Sequence, residues 1–427
     1  MDIKTRRLIM NGPFFTVLYA IYIYLLFTLV SNLFDGAGSS LILPLTLIIA
    51  GIYLLATVVQ GLHPNQITHF LAVISEIWKG TSIYLLILTI IMHIISWIVN
   101  IPDIFFGIVL LVSVTLIAIY AVYNADKITI KNIDLSFDNL NEDFKFIHIS
   151  DLHIGAIRRD RLLNNIVNKI NEPNQVNADF VVITGDLADG SSPIYPNSFE
   201  ILAKSKIPIF FTPGNHDFYP GIDNVIKAAK NANIRILSNQ TIEIKNTQLI
   251  GIPFGRNGFT NSVSKNVDSD SSKTSKKFAD FSHSVGSVGS NDFNNFDHEH
   301  IDIGNQIPNV ESNENNSIDV NLESNRNSKD FEINIDLNKT SILLHHVPVG
   351  WDLFKDIGID LVLSGHTHGG QFFPFNYFVK MVFPYLRGLY EDNGKYMYVS
   401  DGIGTLTPPM RLGTSAEMAV FHLKKKK

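Results

Sequence analysis

Leu361–Gln371 reads LVLSGHTHGGQ, an apolar triplet that runs into two histidines and three glycines. A short apolar run between polar neighbours is the pattern of a strand buried on both faces of a sheet. Side chains two apart in extended backbone point the same way, so His366 and His368 can reach a common point beyond the strand's end. Gly365, Gly369 and Gly370 free the turn to adopt backbone angles that other residues avoid. This stretch alone supports two readings equally, a metal site or a polar turn with incidental histidines.

The rest of the chain separates them. Phe144–Ser150 (FKFIHIS) is a strand followed at once by Asp151 and His153, and Leu162, Leu163, Ile166, Val167 and Ile170 then mark one face of a helix. Asp179–Thr184 (DFVVIT) leads into Gly185 and Asp186. Ile207–Thr212 ends in Pro213-Gly214-Asn215-His216-Asp217, and Ser341–Leu344 runs into His345, His346 and Pro348. Five apolar strands therefore each deliver His, Asp or Asn at their C-terminal ends, the edge where sheets alternating with helices build their sites. The alternation of Ile128, Ile130, Ile133 and Leu135 with polar residues predicts one further strand ahead of them.

Composition narrows the chemistry. The net charge of -6 and the absence of a basic, aromatic-interleaved groove argue against nucleic acid as a structural partner. With no cysteine, disulfides and thiolate metal sites are excluded. Any metal must be held by His, Asp, Glu or Asn, a set suited to hard or borderline divalent ions.

The first 124 residues have a different texture. Phe14–Phe34, Leu41–Leu62, Ser82–Ile98 and Ile104–Tyr123 are apolar stretches, which predicts a region of four transmembrane helices with the lipid bilayer as partner. The third is short for a crossing, and Ile67, Phe70, Leu71, Ile74 and Trp78 recur at helical spacing before it, a segment that either lies in the interface or lengthens the helix. Pro44 and His93 fall within spans and read as a kink and a bundle-facing polar residue. Lysine and arginine occur in the N-terminal tail, at Lys79, and at Lys127 and Lys131, but not in Asp35–Ser40 or Asn100–Asp103. The positive-inside rule then places the tail, the middle loop and everything after Tyr123 in the cytoplasm, in a multi-pass protein of the cell membrane. Lys424–Lys427 reads as a solvated basic tail, with anionic headgroups as the alternative contact.

Taken in order, DLHIG, TGDLAD, PGNHD, HHVP and GHTHGG resemble the motif blocks of the calcineurin-like metallophosphoesterase superfamily. SGHTHGGQ followed by YVSDGIGTLTPPMRLG and Glu417 is similar, more narrowly, to a membrane-anchored branch of prokaryotic phosphoesterases. The likeness covers Lys127 to Arg256 and Lys339 to Leu423. It implies an α/β metallophosphoesterase domain of two stacked mixed β-sheets flanked by helices, in two parts, 127–256 and 339–427, with two divalent metal ions at the sheets' upper edge. Asp151, His153 and His368 would hold the first ion and Asn215, His366 and His346 the second, with Asp186 bridging both. His346 is preferred over His345 because the family's ligand stands two before the proline. His216 would face the substrate as the catalytic residue, with Asp217 either orienting its ring or capping the next helix.

The chemistry implied is a phosphohydrolase in which a hydroxide shared by two cations (Mn, Fe or Zn) attacks phosphorus, on phosphodiesters or on a lipid-linked phosphate. The alternatives are a phosphomonoesterase for a small or nucleotide substrate and a non-catalytic membrane sensor of phosphorylated ligands. Arg158, Arg159, Arg256 and Arg411 are candidate grips for a substrate phosphate. Residues 257–338 are rich in Asn, Ser and Asp and poor in apolar residues, which predicts a disordered insertion in which His298 and His300 are incidental.

Overall fold

The computed structural model describes residues 3–62, 65–99, 102–157, 160–172, 176–254, 310–313, 317–322 and 331–426. Four helices come first: α1 (Ile3–Asn32), α2 (Ser39–Leu62), α3 (Gln66–Ser96) and α4 (Asp103–Asp126). All four are long and apolar enough to cross a membrane. The amphipathic stretch before Ser82 lengthens α3, which starts at an Asn65 cap: the Asn65 side chain accepts from Ile67 and Thr68, and Thr68 Oγ1 accepts from the Asn65 N–H. Pro44 sits inside α2, and His93 bonds to the Thr89 carbonyl one turn back in its own helix.

The helices meet the rest of the chain along one seam. Gly80 of α3 lies so close to Pro408 and Met410 that a methyl group there would overlap both. Asn124 of α4 donates to the carbonyls of Arg411 and Thr414, and the Arg411 N–H donates to Ala121 O.

Two six-stranded sheets follow. The first has the order β1-β15-β2-β3-β4-β5, with β1 (Ile128–Phe137), β2 (Phe144–Ile149), β3 (Phe180–Thr184), β4 (Ile209–Thr212), β5 (Ile234–Ile236) and β15 (Ala416–Lys425). Within it β2 to β5 run parallel, while β15 lies antiparallel to β2 and parallel to β1. The second sheet has the order β13-β14-β12-β11-β7-β6, with β6 (Gln240–Ile244), β7 (Thr247–Gly251), β11 (Ser341–Leu344), β12 (Leu361–Ser364), β13 (Gly388–Asp392) and β14 (Lys395–Val399). Its four central strands are parallel and its two edges antiparallel.

Strand alternation divides the apolar residues into three cores. Phe146, Phe180, Val182 and Phe421 of the first sheet face Leu249, Leu344, Leu361 and Leu363 of the second. Ile147, Ile149, Val181 and Ile183 point the other way, into α5 (Asp160–Asn171) and α6 (Ile222–Asn231). On the far side, Leu343, Val362 and Val399 pack on Trp351 and Phe354 of α7 (Trp351–Asp356). The sheets thus lie face to face between helices, and because the central strands are covered on both sides they read as continuous apolar runs.

Of the stretch 257–338, only residues 310–313, 317–322 and 331–338 are described. Its described part carries three strands, β8 (Val310–Asn313), β9 (Ser317–Leu322) and β10 (Phe331–Asp336), joined as an antiparallel sheet. Ile335 is buried against the second sheet, and Gln248 holds Asp336 through bonds to both its N–H and its C=O. The alternation of Phe331, Ile333 and Ile335 among polar residues is a strand signal hidden in a polar composition. His298 and His300 lie outside the described residues. Near the end of the chain, Lys424 pairs with Asp134 and Lys426 with Asp138 at the exposed end of β1 remote from α4.

Candidate metal centre

The five strand tips converge. Asp151, His153 and His368 bring ligand atoms within 4.8 Å of one another, and so do His153, Asp186 and His216, and Asp186, His346 and His366. Asp186 belongs to two of these groups. Its Oδ2 lies 3.0 Å from His346 Nε2 and 3.7 Å from His153 Nε2, while Asp151 Oδ1 lies 3.5 Å from His368 Nε2. His153 Nε2 and His368 Nε2 are only 3.1 Å apart. Asn215 Oδ1 is buried and has no hydrogen-bond partner among the described residues, a costly arrangement for an amide oxygen with nothing to bind.

Backbone geometry points to the same place. Asp151, His153, Asp186, His366 and His368 all have φ between 49° and 72°, a region that non-glycine residues seldom occupy. Strain concentrated in one cluster means that the surrounding structure fixes these side chains against local preference. Gly185, with φ +78°, is also needed for space, because a side chain there would run into the His346 ring.

The partners behind the imidazoles fix their tautomers. His346 Nδ1 lies 2.8 Å from Thr184 O and His216 Nδ1 lies 2.9 Å from Asp189 O. A carbonyl only accepts, so each Nδ1 carries the hydrogen and each Nε2 is left for a ligand. His345, the neighbour passed over in favour of His346, points elsewhere: its Nδ1 faces Ile252 O and its ring packs edge-on to Phe354.

Charges balance inside the cluster. Burial by itself would raise the Asp151 carboxyl, but the charges of His368, His153 and His346 hold it well below the usual carboxylate range. Asp186 is lowered likewise, mainly by His346, against the effect of burial. Burial lowers His346, yet Asp186 and Asp151 outweigh it and lift this imidazole to about 10. A cation taking Nε2 therefore displaces a proton. His366 goes the other way, to about 4, because burial and the His346 charge both oppose its protonation.

Two assignments change. Asp217 neither orients the His216 ring nor caps a helix: it is fully buried and accepts from the backbone N–H groups of Asp186, Ala188 and Gly214. It thereby ties the Asp186 loop to the Asn215 loop. Arg411 is no substrate grip, for its guanidinium is fully buried and donates to the carbonyls of Asp401, Gly402 and Gly404 and to Thr414 Oγ1. It also stands 3.4 Å from His368 Nδ1. Arg158, Arg159 and Arg256 lie outside the described residues. Glu417 is buried too, taking the Tyr398 hydroxyl at 2.6 Å and pairing with Lys131.

The model for calcineurin-like phosphoesterases matches residues 144–370, more than half of the chain, and takes in all the clustered residues. An uncharacterised metallophosphoesterase of Campylobacter jejuni is 29% identical over 74% of this chain and 69% of its own length. A Helicobacter pylori protein described in the same words is 28% identical over 69% of this chain and 63% of its own length. A transmembrane protein with metallophosphoesterase domain from Bos taurus is 24% identical over 66% of this chain and 53% of its own length. A family match spanning the strands whose tips form the cluster, behind four membrane-span-capable helices, makes this chain a membrane member of the calcineurin-like phosphoesterase family.

Proposed function

We propose that the protein is a membrane-anchored phosphohydrolase of the cytoplasmic face, dependent on two divalent cations (Mn, Fe or Zn), that cleaves phosphodiesters. A substrate carried in the bilayer suits a site tethered beside one. The observation that carries this reading is Asp186, a buried carboxylate common to two clusters of ligand atoms. The donor set fits such ions: imidazole nitrogens, two carboxylates and the orphaned Asn215 oxygen, all buried or half-buried.

Asp151, His153 and His368 would hold one cation, and Asn215, His346 and His366 the other, with Asp186 between them. Bound there, the cations supply a nucleophile at neutral pH and offset phosphoryl charge. His216 has the catalytic part. With Nδ1–H fixed on Asp189 O, its charged form presents the Nε2 proton to the leaving oxygen. The Asp186 carboxylate accepts the His216 backbone N–H at 2.8 Å, which keeps this ring in register with the cluster.

The test uses the full chain in detergent with Mn²⁺ and bis-p-nitrophenyl phosphate. His216→Ala is expected to lower turnover by roughly 10²- to 10⁴-fold, the usual share of general acid–base catalysis, while metal content stays unchanged. Wild-type turnover in this variant at full metal content would reject the role. The adjacent histidines give a paired control. His346→Gln should weaken cation affinity by at least about 10- to 100-fold, whereas His345→Gln should leave it intact. Equal losses in the two variants, measured by calorimetric metal titration, would count against the ligand set.

A further inference from the structure

Helix α8 (Asn376–Val382, NYFVKMV) has no buried residue. Tyr377 is 63% exposed, Phe378 64%, Met381 83% and Val382 54%, and Phe373 and Phe375 ahead of it are exposed too. An apolar surface of this kind, on the part of the chain that follows α4, marks an interaction site. We propose that Phe373–Val382 is a membrane-docking element seated in the bilayer interface beside α3, so that the mouth of the metal cluster lies at headgroup level.

Three observations select the bilayer as the occupant. Phe372, the residue before the segment, packs edge-on to Tyr84 of α3, with ring centroids 6.3 Å apart. Tyr84 is in the apolar part of a membrane-span-capable helix, four residues beyond Gly80, which abuts Pro408 and Met410. The exposed patch thus adjoins a helix long and apolar enough to cross a membrane. The composition also fits: aromatic and aliphatic residues with one cation, Lys380, whose stem can lie along the interface while its charge reaches water. Finally, the element adjoins the site, since Phe383 at the end of α8 packs against the His366 ring at 5.3 Å.

This inference does not depend on catalysis, and its test reads position alone. The chain has no cysteine, so Met381→Cys in the full-length protein accepts a single environment-sensitive fluorophore. Asp138→Cys serves as the aqueous control, because ten residues of β1, about 33 Å of strand, separate it from the end of α4. In vesicles of phosphatidylcholine and phosphatidylglycerol, the label at 381 is expected to emit to the blue and to lose at least about half its emission to lipid-borne doxyl quenchers. Iodide should quench only the control. Tyr377→Cys provides a second position should the first variant fold poorly. Iodide quenching at 381 and 377 as strong as at 138 would overturn the proposal.

Discussion

Asp186→Asn is expected to lower phosphodiester hydrolysis by roughly 10³-fold or more, the scale set by losing preorganised charge stabilisation in a buried site. The substitution keeps the volume and removes the charge. Asp186 Oδ1 accepts the His216 N–H and Oδ2 faces His346 Nε2 at 3.0 Å, so an amide in its place offers the cluster at most one neutral oxygen. Metal content measured by mass spectrometry should fall together with turnover. Asp217→Asn provides a contrast, since this neighbour touches only backbone N–H groups: it should lose stability first and activity as a consequence. A fully loaded, fully active Asp186→Asn variant would remove the basis for placing two cations around this residue.

Arg411→Met is expected to cost about 3–5 kcal/mol, because it leaves several buried carbonyl acceptors unsatisfied at about 1–3 kcal/mol each. The guanidinium donates to three carbonyls of one buried loop, at Asp401, Gly402 and Gly404. For a domain of this size, that loss corresponds to a melting temperature lower by roughly 10 °C. Lysine should not rescue it, because one ammonium cannot serve carbonyls spread around a planar fork. The measurement is thermal unfolding of the detergent-solubilised chain, followed by residual metal binding, since Arg411 also backs His368. An Arg411→Lys protein that melts with the wild type would show that the fork does not hold this loop.

What was legible in advance, and what was not, follows from how far each signal reaches along the chain. The strands were plain because a run such as VLS at 362–364 or FVVI at 180–183 owes its pattern to burial on both faces, a property of consecutive residues. The spans were plain for the same reason. The strand β10 was hidden, because a few alternating apolar residues within an Asn- and Ser-rich stretch leave the average polar.

Sequence alone thus determined which side chains stand at the strand tips, the absence of thiolate ligands and the four apolar helices. Tertiary structure alone decided that Asp217 serves backbone N–H groups and that Arg411 is a buried brace. It also set the apolar helix α8 beside the metal cluster. The physical reason is range: burial leaves its mark on neighbouring residues, whereas a hydrogen bond such as His346 to Thr184, 162 residues away, exists only once two sheets have packed face to face.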